Sequence, residues 1–111
     1  MAPSTEYLAE FELFVMLAIA RPDAEWYGAS IRREIEERAG RPVSIGAVYA
    51  TLGRLEDRDL LEHEITDPLP VRGGRSRKIY HLTEAGREAV RSSAGMLVRM
   101  MKGVPLAGGE A

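Results

Sequence analysis

Four basic residues stand close together in the second half of the chain, and no acidic residue interrupts them. They are Arg72, Arg75, Arg77 and Lys78, and they surround Gly73, Gly74 and Ser76. Guanidinium and ammonium groups on a Gly-rich segment are suited to binding the phosphate oxygens of a nucleic acid. The pattern therefore predicts a contact with a DNA backbone or minor groove. The alternative is a solvated loop, which is the commoner role of a run of charges.

A second group of candidate residues lies on the segment 44–57. Ser44 is a favoured N-cap residue and predicts the start of a helix. The small first turn would let another surface approach the backbone closely, and N–H groups at a helix N-terminus suit a phosphate. The residues predicted to contact DNA here are Ser44, Gly46, Ala47, Tyr49, Ala50 and Arg54. The alternative is an ordinary amphipathic helix whose Tyr49 packs in the core.

Apolar periodicity and capping residues predict the elements that hold these side chains in place. We expect helices at about 5–20 and 29–39, a third starting after Ser44, and a fourth from Thr83 to about Lys102. Strands are expected at 61–66 and 79–82, on either side of a loop with Pro and Gly. A helix followed by a hairpin with a basic tip is the layout of a winged helix. The predicted fold class is mainly α with a small β-hairpin, a winged helix-turn-helix plus a C-terminal dimerisation helix.

The first and last helices carry more apolar surface than a small monomer needs. The first is apolar on more than one face, which requires more than one partner. The last carries a methionine-rich apolar cluster near its end. The predicted dimer interface comprises Leu8, Phe11, Val15, Val90, Met96, Leu97, Met100 and Met101. The alternative is that both helices only close the core of a monomer. We expect a DNA-binding domain at 1–83, a dimerisation helix at 84–104 and a disordered tail at 105–111.

Composition narrows the classes of protein that this chain can be. Its 111 residues, of which 45% are hydrophobic, suit one domain with a small core. Without cysteine it has no disulfide and no thiolate metal site. The net charge of −2 weighs against a nucleic-acid binder, but the bases are clustered, with four and no acid in residues 72–83.

Enzymatic and membrane roles are not indicated. His63 and His81 are isolated, and packing or surface placement suits them better than metal binding or catalysis. No catalytic constellation is visible, so we expect no enzyme and no cofactor. The N-terminus lacks the basic region of a signal peptide, and the longest uncharged apolar stretch, 13–20, is short of the roughly 20 residues that span a bilayer. We expect a cytoplasmic protein without a membrane partner.

Three segments in this order and spacing resemble the PadR family of bacterial transcriptional regulators. They are SIGAVYATLGRLE at 44–56, DLLE at 59–62 and GGRSRKIYHLTEAG at 73–86, and the similarity extends over about 14–90. Residues matching the family's recognition helix are Gly46, Tyr49, Leu52, Arg54 and Leu55. Those matching its wing and last helix are Gly74, Arg77, Lys78, Tyr80, Leu82, Thr83 and Gly86. Where the family often has Pro, Thr and Pro, this chain has Ile45, Ala47 and Ala50.

The resemblance implies a function as well as a fold. It implies a winged-helix domain that binds double-stranded DNA, and a homodimer that represses a nearby promoter and responds to a small molecule. The single predicted C-terminal helix resembles the compact branch of the family. We therefore expect a homodimeric repressor with a pseudo-palindromic operator, released by an effector between the first and last helices. The alternative function is a winged-helix adaptor that binds another protein.

Overall fold

Four helices and one antiparallel hairpin make up the described part of the chain, as the sequence predicted. The computed structural model describes residues 7–66 and 76–106. The helices are α1 (Glu10–Ala20), α2 (Gly28–Ala39), α3 (Ile45–Asp57) and α4 (Glu84–Met101), and the strands are β1 (Leu61–Ile65) and β2 (Lys78–Leu82). Helix α1 contacts α2, α3, α4 and β2, so the other elements are arranged around it.

Helix α1 begins later than the predicted start near residue 5. The backbone N–H of Leu8 donates to the Ser93 hydroxyl on α4 at 3.0 Å, so this part of the chain is bound to another helix. The N–H of Ala9 donates to the Glu12 carboxylate at 2.9 Å, which satisfies a backbone donor at the helix start. These two bonds place the start of α1 at Glu10; residues 5 and 6 lie outside the described part of the chain.

The helices α2 and α3 end and begin at the residues that their capping chemistry predicts. Gly40 follows α2 with φ of 71°, a left-handed conformation that glycine adopts without strain. The Ser44 hydroxyl accepts the Ala47 N–H at 3.0 Å and caps α3. Glu36 of α2 accepts the Val43 N–H at 2.9 Å, so it supports the turn between the two helices.

The buried side chains form one core between the helices and the hairpin. Val48, Leu52 and Leu55 of α3 are at most 1% exposed and pack against α1 and α2. Trp26 is buried, and its indole N–H donates to the Arg21 carbonyl at 2.8 Å. Thr51 is also buried, on the edge of the apolar face of α3. The core therefore holds α3 by one face and leaves the opposite face outside.

The hairpin pairs β1 and β2 in a register that runs from Leu61↔Leu82 to Ile65↔Lys78. Beyond the strands, Thr66 and Arg77 form one more pair, in which the Thr66 N–H donates to the Arg77 carbonyl at 2.9 Å. On its other edge, β2 receives the segment after α1, because the Tyr80 N–H donates to the Trp26 carbonyl at 2.8 Å. Strand β2 is thus hydrogen-bonded on both of its edges, to β1 and to Trp26.

Helix α4 crosses the chain closely at Leu60. A Cβ atom at Gly86 would lie 2.0 Å from the Leu60 carbonyl oxygen, a distance that no side chain tolerates. Thr83 is fastened at the same place, since its N–H donates to Leu60 O at 3.2 Å and its hydroxyl donates to Asp59 O at 2.7 Å. The same hydroxyl accepts the Gly86 N–H at 2.9 Å and caps α4. Only glycine fits at this crossing.

We predict that Gly86→Ala lowers the free energy of unfolding by about 2–3 kcal/mol, because the added carbon must displace backbone in a packed region. The matched control is Gly53→Ala in α3, where an added Cβ meets nothing within 4 Å. It should stabilise the protein by roughly 0.5–1 kcal/mol through the gain in helix propensity. Urea denaturation followed by circular dichroism measures both. Equal midpoints for the two variants would contradict the close crossing.

Candidate nucleic-acid interface

The face of α3 opposite the core is exposed and carries most of the residues predicted on this helix. Ser44, Gly46, Ala47 and Ala50 are all exposed and have small side chains. Another surface can therefore approach the first two turns of α3 closely. The Ser44 hydroxyl is occupied with capping the helix, so its structural role is established by the 3.0 Å bond to Ala47.

Tyr49 projects from the same part of α3 and is 55% exposed, so it is not a core residue. It is not isolated either. A Cβ atom built on Gly28 would lie 2.5 Å from Cζ and Oη of the Tyr49 ring. The ring therefore rests directly on the first residue of α2, with its remaining surface open to solvent. Tyr49 is therefore neither buried in the core nor free of contacts within its own chain.

Arg54 lies one turn beyond Ala50 on α3 and has intramolecular partners. Its Nη2 donates to the Thr51 hydroxyl at 3.1 Å, and its Nε is 4.0 Å from a carboxylate oxygen of Glu12. The other oxygen of Glu12 is 3.2 Å from Nη1 of Arg58. One carboxylate at the start of α1 thus serves two guanidinium groups at the end of α3. The Arg54 side chain remains 59% exposed, and its charge is partly balanced by this acid.

The basic segment is described only at its second half. Arg72 and Arg75 lie outside the described residues, as does Gly74. Arg77 and Lys78 are exposed and lie at the loop end of the hairpin, where β2 begins, a position that we term the hairpin root. The Arg77 guanidinium lies over the Tyr27 ring, 4.3 Å from its centroid. This cation–π contact orients Arg77 toward the start of α2.

A hollow of about 310 Å³ brings the two predicted groups together. Tyr49 of α3 forms one wall, and Arg77 and Lys78 of the hairpin root form another. The remaining lining residues are Tyr27, Gly28, Ser76 and Tyr80. Two cations, several hydroxyl groups and the N-terminus of α2 surround this space, an arrangement that attracts an anion. Arg54 does not line the hollow, so it is separate from Tyr49, Arg77 and Lys78.

Sequence reasoning missed the contribution of α2 to this surface. Tyr27 and Gly28 carry the contacts to Arg77 and Tyr49, yet the sequence showed only a helix start. Arg32 follows Gly28 by one helical turn and therefore shares its side of α2. Arg32 and Arg33 are exposed, and neither forms an ion pair with another described residue. The available signal was the spacing of four between Gly28 and Arg32, which places both on one side of α2.

The two histidines lie on the hairpin, and each is close to a carboxylate. His63 bonds through Nδ1 to Glu56 of α3, and its ring centroid is 5.6 Å from that of Tyr80. His81 lies 2.9 Å from Glu64 on the surface of the sheet. Burial, with smaller contributions from Glu56 and Tyr49, raises the pKa of the Tyr80 hydroxyl above its usual value. Tyr80 is therefore a neutral hydroxyl at the back of the hollow.

The residues predicted for the dimer interface divide into three groups. Val15 is 0% exposed within the single chain, so the prediction for this residue is wrong: it faces the chain's own core. Leu8, Phe11 and Val90 are half-buried and pack on the edge of that core. The remaining predicted residues, Met96, Leu97, Met100 and Met101, are 36–76% exposed on α4. Val98, Val104 and Leu106 extend this apolar surface.

Neither a metal site nor a membrane-spanning helix is found among the described residues. Among residues 7–66 and 76–106, no group of three or more His, Asp or Glu side chains could hold a metal ion. No helix in these ranges is long and apolar enough to cross a membrane.

Known proteins of similar sequence and structure are transcription regulators. Over 70 residues the chain is 41% identical to transcriptional regulator Rv3488 of Mycobacterium tuberculosis, a match over 61% of this chain and 59% of that protein. It thus spans less than two thirds of that regulator. The structure of a PadR-like transcription factor from Bacteroides fragilis superposes with a TM-score of 0.69 at 27% identity, covering 81% of this chain and 82% of the other.

A solved complex with DNA shares the fold. The structure of Bacillus subtilis PadR with operator DNA matches with a TM-score of 0.64 and 17% identity, over 76% of this chain and 47% of that one. The model of the PadR-like family of transcriptional regulators matches residues 16–92, more than half of the chain. Helix α3, the hairpin and the first turns of α4 all fall within this match. The chain belongs to the PadR-like family of transcriptional regulators.

Proposed function

We propose that this protein is a homodimeric repressor that binds a pseudo-palindromic operator. The observation that carries the proposal is the hollow in which Tyr49 of α3 meets Arg77 and Lys78 of the hairpin root. In a winged helix, these are the helix that enters the major groove and the strand pair beside it. The Bacillus subtilis relative, solved with operator DNA, has the same fold.

Small residues and cations have separate roles in this proposal. Gly46, Ala47 and Ala50 allow α3 to approach the base edges, and Tyr49 contacts DNA at the rim of the hollow. Arg77 and Lys78, with Arg72 and Arg75 in the same run of bases, bind phosphates and set the orientation of the protein. Arg32 adds a phosphate contact from α2. The net charge of −2 is consistent with this division, because residues 72–83 carry four bases and no acid.

Helix α4 supports the dimeric form of the proposal. Leu97, Met100 and Met101 are 46–76% exposed and recur at helical spacing on α4, which leaves an apolar face without a partner among the described residues. Soluble monomers rarely expose a continuous apolar patch of this kind. Two copies joined along α4 would present two α3 helices, and half-sites about 34–36 Å apart would then match them.

The effector belongs to the same proposal. Methionine side chains adapt to different partners, so an α4 surface rich in them can accommodate a small apolar molecule beside the second copy. A molecule bound against α1 and α4 would change the separation of the two α3 helices and weaken operator binding.

We predict that Arg77→Gln and Lys78→Gln each reduce the slope of log affinity against log salt concentration by about one, as expected for one lost phosphate contact. The measurement is fluorescence anisotropy with the promoter DNA upstream of the chain's own gene, at several salt concentrations. Arg91→Gln is the matched control, because it removes the same charge from α4, where Arg91 pairs with Glu88. Unchanged slopes for all three would contradict the phosphate contacts. Weak, sequence-independent binding by the wild type would favour the adaptor function.

We predict that Leu97→Glu and Met100→Glu separate the dimer, because each buries a charge in an apolar interface. Sedimentation equilibrium should give a mass near the chain mass of 12.3 kDa in place of twice that value. Arg91→Glu, on an exposed polar position of the same helix, should leave the dimer intact. A wild-type chain that sediments as a monomer at micromolar concentration would refute the dimeric proposal.

We predict that at least one class of small apolar molecule lowers operator affinity in the wild type and loses this effect in Leu97→Ala. The physical reason is that its binding surface includes the exposed end of α4. A panel of aromatic and aliphatic compounds, titrated into the preformed complex and followed by anisotropy, makes the measurement. If none of them changes the affinity, regulation by an effector at this surface is wrong.

A further inference from the structure

Three consecutive residues before and at the start of α2 contact three different parts of the candidate interface. Trp26 accepts the Tyr80 N–H through its carbonyl at 2.8 Å, which joins the segment to β2. Tyr27 carries the Arg77 guanidinium on its ring at 4.3 Å. Gly28 lies against the Tyr49 ring of α3. The segment Trp26–Tyr27–Gly28, which we term the joint, thus touches strand, hairpin root and recognition helix in turn.

The contact between Gly28 and the Tyr49 ring leaves no room for a side chain at position 28. An added Cβ would lie 2.5–2.6 Å from three atoms of the Tyr49 ring, Cζ, Oη and Cε1. These atoms form the outer end of a rigid ring, so they can yield only if the whole side chain changes its rotamer. Gly28 is buried, although it is the first residue of α2. The absence of a side chain at this position therefore determines where the Tyr49 hydroxyl lies.

The contact at Tyr27 restrains the hairpin root in a similar way. The backbone of Arg77 pairs with Thr66, since the Arg77 N–H donates to the Thr66 hydroxyl at 3.1 Å and the Thr66 N–H donates to the Arg77 carbonyl at 2.9 Å. Its side chain lies on the Tyr27 ring. Both the backbone and the guanidinium of Arg77 are therefore held before any ligand arrives.

We infer that the joint positions the recognition helix and the hairpin root relative to each other. Tyr27 and Gly28 are positioning residues: they act through Arg77 and Tyr49 and need not touch DNA themselves. Preorganised contacts bind with less loss of conformational entropy than mobile ones, so the joint raises the affinity for a DNA that fits both elements at once. The part of this inference that concerns DNA affinity rests on the proposed function. The contacts of Tyr27 with Arg77 and of Gly28 with Tyr49 do not depend on it.

A double-mutant cycle tests the role of Gly28. Gly28→Ala should lower affinity for the upstream promoter DNA by about tenfold, within the range of coupling between residues in contact. In a Tyr49→Leu background, which lacks the ring atoms that an added Cβ would meet, the same substitution should cost about twofold or less. Equal losses in both backgrounds would overturn the inference, because Gly28 would then act through α2 and not through Tyr49.

A matched pair of substitutions tests the role of Tyr27. Tyr27→Phe keeps the aromatic face and removes only the hydroxyl, so it serves as the reference for Tyr27→Leu. Tyr27→Leu removes the ring quadrupole and should lower affinity about threefold, the factor that corresponds to a cation–π contact at an exposed site. If the Phe and Leu variants lose affinity equally, the ring does not position Arg77 and the inference is wrong for this residue.

A measurement without DNA separates this inference from the proposed function. The chain has four tyrosines, so 3-fluorotyrosine gives four fluorine resonances that Tyr→Phe variants assign. Gly28→Ala should shift the Tyr49 resonance and leave that of Tyr7 unchanged. Gly95→Ala, whose added Cβ would meet only the end of the Arg99 side chain at 3.3 Å, is the control and should leave both unchanged. An unmoved Tyr49 resonance in Gly28→Ala overturns the inference. If the wild-type protein does not bind DNA specifically, the proposed function is wrong. The shift of the Tyr49 resonance in Gly28→Ala would still decide the role of Gly28.

Discussion

The passage of α4 over the Leu60 carbonyl is the contact on which the arrangement of the other elements depends. Gly86 leaves 2.0 Å between that oxygen and the place where a Cβ would be, and Thr83 binds the carbonyls of Leu60 and Asp59 one turn earlier. The end of α3, the start of β1 and the start of α4 therefore meet within a few residues. Because the acceptors are backbone carbonyls, the direction of α4 relative to α3 is determined with little freedom. The exposed face of α3 and the apolar end of α4 consequently have a defined relation within each chain.

The local chemistry of capping and turns could be predicted from the sequence, while contacts between distant segments could not. Ser44 and Thr83 cap α3 and α4 as expected, and the hairpin pairs with nearly the predicted limits. The start of α1 was misplaced because Leu8 bonds to Ser93, 85 residues away. Val15 was assigned to a dimer interface because periodicity shows that a residue is buried but not by which chain. A helix surrounded by four elements of its own chain has the same apolar pattern as one that faces a second copy.

The candidate interface was predictable by residue type and less so by geometry. Exposure of Gly46, Ala47 and Ala50 followed from the helical period that buries Val48 and Leu52. The double role of Tyr49, packed at one end and 55% exposed overall, could not be predicted, since it depends on a glycine 21 positions earlier. Tyr27 and Gly28 looked like an ordinary helix start. Their importance becomes visible only when the chain folds and places α3 and the hairpin root on either side of them.

The shared carboxylate of Glu12 has a consequence for how Arg54 would meet DNA. One of its oxygens, Oε1, accepts from Nη1 of Arg58 and from the backbone N–H of Ala9, so the acid stays in place whatever Arg54 does. A phosphate that recruits Arg54 must compete with this fixed neighbour 4.0 Å away, and the gain is the difference between two ion pairs. Loose contacts with DNA of arbitrary sequence then gain little from this arginine. A chromosome offers about 10⁶ or more such sites. A regulator that binds more weakly to each of these nonspecific sites needs fewer molecules per cell to keep one promoter occupied.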